Sequence, residues 1–229
     1  MRARSGAAGR AVECPGKLWN GSTGSNWGLH GGHADPARAL RRFMDEPFSS
    51  LPSTGYRVER DEPGRVLYSY DVDGRTKVAV IVSNLVPQQE EDGWSVETFA
   101  MCDPAEWPAD VTDELGLGVW SGRGGKRVPT SILVSAKGPE HCDWQSATIL
   151  SVNDKTYYRD PEGVLPSAWF ETRYDGRAEL PLNAKDTGYR RNDQQLWVAA
   201  DRSAVYVVNG DHVERWPAPV NAITRRATR

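Results

Sequence analysis

The sequence predicts an α+β fold: an N-terminal helix packed on an antiparallel meander, followed by an all-β C-terminal lobe forming a sandwich, barrel or curled meander. Three observations carry this expectation. Leu40, Phe43 and Met44, with Ala39, make an apolar stripe at helical spacing between Arg38, Arg41 and Arg42. Residues 56–102 hold four runs of β character, two of them flanking Asp73-Gly74, a strong hairpin signal. From residue 147 onward, short β runs recur at intervals of roughly ten residues with turn residues between them.

Bulk properties narrow the function classes. The 229 residues suffice for one large domain or two small ones. A net charge of -3, with Lys and Arg interspersed among acids, offers no cationic stripe and argues against nucleic acid as a partner. No apolar run approaches the roughly 18 residues that a membrane-spanning helix needs. The nine tryptophans are scattered from Trp19 to Trp216, a distribution that suits packing better than a single aromatic platform.

In chain order, residues 1–34 are rich in glycine and poor in apolar residues, so they read as a disordered or loosely docked arm. Within it, Asn20-Gly21-Ser22 matches a glycosylation sequon by pattern. Residues 35–103 form the helix-plus-sheet lobe. Asp35 is a natural N-cap, Pro36 suits the first helical turn and Pro47 stops the helix. Strands are expected at 56–60, 66–72, 77–82 and 94–101, with an acidic loop at 88–92. Residues 104–138 read as a Pro/Gly-rich connector with one short strand at 131–134. Residues 139–217 read as the all-β lobe, with strands at 147–152, 156–158, 168–174, 178–182, 196–199, 204–208 and 212–216. Residues 218–229 read as a basic disordered tail. Residues 60–67 and 159–165 share turn chemistry ahead of Asp73-Gly74 and Asp175-Gly176, as an internal duplication or convergent turns would.

Cys102 and Cys142 each precede an aspartate and lie near a tryptophan, Trp107 or Trp144. They are expected to bridge the two lobes, leaving Cys14 free or pairing between molecules. Such a bridge, with loops rich in Gly and Pro, points to an extracytoplasmic protein. Residues 1–10 carry charge but no apolar segment, so they are not a signal peptide as written. The choice is then between a cytosolic chain with three thiols and one whose export signal lies upstream.

Candidate chemistry is sparse. Asp103 and Glu106 are the carboxylates a hydrolase would use, and a prolyl surface loop explains them as well. Trp107, Trp120 and Trp144 together with Asp103 and Glu106 make the candidate ligand-binding set. His30 and His33, with Cys14 upstream, have a loop spacing that holds zinc weakly at best. The glycine-rich run 121–127 departs from a phosphate loop, because Val128 follows Arg127. No nucleophile elbow, zinc-protease helix or dinucleotide fingerprint occurs, so no catalytic residue, metal or cofactor is assigned.

The run 196–216 and the segment Cys102-Asp103-Pro104-Ala105-Glu106-Trp107-Pro108 resemble uncharacterised exported proteins of high-GC Gram-positive bacteria, over residues 35–217. The resemblance implies export and no particular activity. The expectation is a non-enzymatic extracytoplasmic interaction or structural protein, with protein as its partner. The alternatives are a carbohydrate or cell-wall binding module and a carboxylate-dependent hydrolase.

Overall fold

The structure, a computed structural model, describes residues 6–16, 18, 20–23, 32–45, 51–85, 93–139 and 142–220. The chain divides into two compact units, Met1–Val111 and Thr112–Arg229. Antiparallel sheet dominates both. The α-helices among the described residues are α1 (Gly6–Ala11), α2 (Pro36–Met44) and α3 (Ala109–Glu114), the longest of 9 residues. The fold is therefore largely β, and the α+β expectation overstates the helical share.

The first unit is built on one sheet. Its strands are β1 (Asn20–Thr23), β2 (Tyr56–Glu62), β3 (Arg65–Val72), β4 (Arg75–Ser83) and β5 (Ser95–Met101), in the order β1-β5-β4-β3-β2. Asp73 (φ 51) and Gly74 (φ 70) both take left-handed backbone, which closes the β3–β4 hairpin as the Asp-Gly pair predicts. β4 lies between β3 and β5, and every residue from Thr76 to Ser83 is buried. Such a strand needs cover on both faces.

The two covers are different in kind. Ala79, Ile81, Ala100 and Cys102 pack with Ala8, Val12 and Leu18 from the N-terminal segment. Phe99, which points to the other face, meets Phe43 of α2 at a ring separation of 5.3 Å. α2 starts as the sequence predicts: the Asp35 carboxylate accepts from Arg38 N at 2.8 Å, with Pro36 in the first turn. The expected stop at Pro47 and the acidic loop at 88–92 fall outside the described residues.

The N-terminal segment is integral to the sheet where it is described. β1 pairs with β5 from Asn20–Met101 to Thr23–Thr98, and Glu13 N donates to Thr76 O at 2.8 Å. α1 is too short to persist alone. Its alanines let the helix backbone approach Ala79 and Ala100 closely, and residue 14 is covalently attached.

That attachment corrects the disulfide expectation. Cys102 bonds Cys14, at a Cα–Cα distance of 5.3 Å, and Cys142 is free. The bridge closes within the first unit and does not join two lobes. The cause is strand pairing: β1 and α1 lie on β5 and β4 and carry Cys14 to the end of β5. The glycine-rich composition of the arm concealed this contact.

The second unit contains two four-stranded antiparallel meanders. One comprises β6 (Leu117–Val119), β7 (Leu133–Lys137), β8 (Thr148–Val152) and β9 (Lys155–Arg159). The other comprises β10 (Lys185–Arg191), β11 (Gln194–Val198), β12 (Ala204–Asn209) and β13 (His212–Pro217). Leu133, Leu150 and Tyr157 of the first share one apolar core with Leu196, Val205 and Trp216 of the second. The stretch 104–138, expected as a connector, thus supplies two of the sheet strands. β10 escapes a pattern reading because a bulge between Asp186 and Tyr189 breaks its alternation. The expected strands at 168–174 and 178–182 do not form; a 3-10 turn, Ser167–Trp169, opens an irregular segment there. Residues 60–67 make a β-hairpin whereas 159–165 leave β9 as a loop, so their likeness is one of turn chemistry.

The disulfide sequence separation of 88 residues corresponds to about 4.5 kcal/mol of loop entropy removed from the unfolded chain. Thiol counting on the unreduced, denatured protein should give one thiol, on Cys142. Cys14→Ser should destabilise the first unit by about that amount in chemical denaturation; an unchanged midpoint would refute the assignment.

Candidate ligand site

The candidate residues from the sequence are divided between the units. Asp103, Glu106 and Trp107 belong to the first, at the end of β5, whereas Trp120 and Trp144 belong to the second. Asp103 Oδ1 accepts from Ala105 N at 2.9 Å and so caps the 3-10 turn Pro104–Glu106. Glu106 meets the Lys77 ammonium at 2.8 Å, and Lys77 Nζ also donates to Glu13 O at 2.9 Å. Lys77 is only 5% exposed, so this carboxylate neutralises a buried charge and is not presented to a substrate.

Trp107 and Trp120 are 2% and 1% exposed, leaving neither face for a ligand. Trp120 Nε1 donates to Ser135 Oγ at 3.4 Å within the shared core. Trp144 is half-buried and meets Trp169 edge-on, with ring centroids 5.2 Å apart. Of the aromatic candidates, Trp144 alone keeps accessible surface. His33 forms an isolated backbone bridge with Trp94, and His30 lies outside the described residues. Cys14 is consumed by the disulfide, which removes the thiolate that a zinc site with those histidines would need. Among the described residues, no group of three His, Cys, Asp or Glu side chains is placed to hold a metal.

A different site lies in the second unit, where the loop after β9 folds back over the end of β13. A pocket of about 160 Å³ opens there, lined chiefly by Tyr158, Leu165, Phe170, Tyr174 and Pro217, with Asp160, Ser167 and Arg173 as its polar side chains. Tyr158 and Phe170 meet edge to face at 5.5 Å, giving the pocket two walls at a steep angle. The loop is held by Asp160, whose Oδ1 accepts from Val164 N at 2.9 Å and Oδ2 from Leu165 N at 3.0 Å.

Next to Tyr174 of the pocket lining, Arg159 of β9 clasps Glu214 of β13 with both nitrogens of a guanidinium edge, at 2.9 and 3.3 Å. Trp216 Nε1 donates to the same carboxylate at 2.8 Å. Burial opposes ionisation of Glu214, but the hydrogen bonds from Arg159 and Trp216 and the Arg159 charge outweigh it and hold the carboxyl below its ordinary range. Tyr174 shows the complement. Burial, then its hydrogen bond to Glu214 and that carboxylate's charge, push the phenol up to about 12. The Arg159 guanidinium also sits over the Tyr174 ring, 5.6 Å from its centroid. These contacts fix the position of Tyr174, one of the residues that line the pocket.

Sequence reasoning missed these residues because 168–174 reads as a strand by β propensity. The usable signal was the density of aromatic residues (Trp169, Phe170, Tyr174) behind Pro161 and Pro166, which suits a loop better than a paired strand. With fold and site described, comparison with protein-family models, curated proteins and solved structures finds no match to this chain.

Two outcomes follow for the charges. Glu106→Ala should cost about 3 kcal/mol by stranding the Lys77 ammonium, and Lys77→Met added to it should recover most of that loss, read by urea denaturation. The depressed Glu214 pKa contributes stability above the ordinary carboxylate range, which is lost as pH falls through the folded value. The melting-temperature gap between wild type and Glu214→Gln should therefore be widest near neutrality and close below about pH 4; a pH-independent gap would show that ionisation is irrelevant there.

Proposed function

We propose that this chain is a non-enzymatic, extracytoplasmic binding protein whose second unit captures a small ring-bearing group in the pocket between the β9 loop and β13. The observation that carries the reading is the commitment of the carboxylates. Asp160 holds two backbone N–H groups, Glu214 is saturated by Arg159, Trp216 and Tyr174, and Glu106 neutralises Lys77. A general acid or base must be held at the reacting atom, whereas these carboxylates are oriented toward partners within the fold. The groups around this pocket instead fix its shape. The aromatic walls offer apolar area in a preformed cleft, the usual means of holding a small ligand.

The Cys14–Cys102 disulfide supports the compartment, since such bonds persist where thiols are not kept reduced. A protein partner docked by strand addition is less well supported. β2 is an edge strand, but Arg57, Glu59, Arg60, Asp61 and Glu62 stud it with charge, a pattern that discourages pairing with another strand. A hydrolase built on Asp103 and Glu106 finds both side chains occupied in capping and in the Lys77 ion pair.

A fragment library screened by ligand-observed NMR tests the reading. Ring-bearing fragments should bind wild type and lose most of their signal with Tyr158→Ala. If no fragment is sensitive to that substitution, the pocket is not a binding site.

A further inference from the structure

We infer that the pocket takes a single neutral pyranose unit of a glycan, stacked on the Tyr158 and Phe170 rings with its hydroxyls shared between Asp160 and Arg173. This rests on the binding reading above and names its ligand class.

Size is the first argument. At about 160 Å³ the cavity falls below the roughly 300–1,000 Å³ of sites that enclose drug-sized ligands, and it matches one six-membered ring with its substituents. The pocket is open, so the remaining units of a chain can continue into solvent.

Charge is the second. The ionisable side chains lining the pocket are one carboxylate, Asp160, one guanidinium, Arg173, and two phenols whose pKa values burial raises. The neighbouring Arg159–Glu214 pair is neutral as a unit. The lining is thus balanced, and it favours neither a net anion nor a net cation. Arg173 is exposed and its carbonyl is held by Arg215 Nη2 at 3.0 Å, while its guanidinium has no ion-pair partner among the described residues. Each Asp160 oxygen already accepts one backbone N–H, so each keeps a lone pair for a further donor. A hydroxyl both donates and accepts, and vicinal hydroxyls on one ring can donate to Asp160 and accept from Arg173 together. A zwitterion would rely on exposed ion pairs, which contribute little.

The walls are the third. The axial C–H groups of a pyranose present a flat apolar face that packs on the electron-rich face of an aromatic ring. Leu165 and Pro217 complete the apolar side without adding a competing charge.

The test is a saturation-transfer NMR and tryptophan-fluorescence titration of the full chain with methyl glucoside, methyl galactoside, methyl mannoside and N-acetylglucosamine, beside glucuronate and phenylalanine. At least one neutral sugar should saturate at millimolar concentration. Phe170→Leu keeps apolar volume but removes the flat face, and should weaken binding at least tenfold at an unchanged melting temperature. Arg173→Gln should weaken it several-fold with no change in the aromatic contact signals. Saturation by glucuronate or phenylalanine alone would overturn the neutral-sugar assignment while leaving the binding reading in place. Neutral-sugar binding indifferent to both substitutions would overturn the pocket as its location, and silence from all six probes would end both.

Discussion

The first unit depends on one constraint: β4 is buried on both faces and cannot exist without a cover on each. An apolar run such as Val78-Ala79-Val80-Ile81-Val82 leaves no solvated side, so exposing either face would cost on the order of 25 cal/mol for each Å² uncovered. α2 covers one face with a long amphipathic stripe. The other is covered by the N-terminal segment, which has few apolar residues and a helix of 6. Small residues make close approach possible there, but they bury little area. The disulfide, the Glu13–Thr76 hydrogen bonds and the Lys77 ammonium on Glu13 O supply the missing attachment.

The second unit solves a different problem. Two meanders share a core, and an ionic clasp ties β9 to β13. Arg159, Glu214, Tyr174 and Trp216 form a connected group of hydrogen bonds centred on the Glu214 carboxylate, and the low dielectric that penalises an unpaired charge strengthens such a set. The loop that starts at Asp160 begins where this clasp ends. Its pocket is therefore carried on rigid elements, although the lining is irregular backbone. Loops positioned by a stiff scaffold are where recognition usually resides.

Both units show why residues that look functional in a sequence are so often structural in a fold. Tryptophans next to carboxylates suggested a binding face at Asp103, Glu106 and Trp107. In the folded chain that segment turns a corner at the end of β5, and each group has a task in making the corner. Trp107 and Trp120 are core residues for the same reason that most large aromatics are: they bury more area than any other side chain. The surface left for a ligand comes from residues with no motif, brought together by a loop.

Features that rest on near neighbours along the chain are legible from residue order. The α2 cap at Asp35-Pro36, the left-handed Asp73-Gly74 turn, the meander of β2 to β5 and the hairpins around Asp201 and Asn209 follow from spacing and turn chemistry within a few residues. Contacts between distant residues set which sulfur meets Cys102, that residues 20–23 become a strand, that β10 carries a bulge and that Phe170, Arg173 and Tyr174 line a pocket instead of pairing in a strand. Each of these is settled by a partner far along the chain, 88 residues away for the disulfide and 55 for the Arg159–Glu214 clasp. Local periodicity has no access to such partners. A short, glycine-rich segment reads as loose until the face it must cover is known.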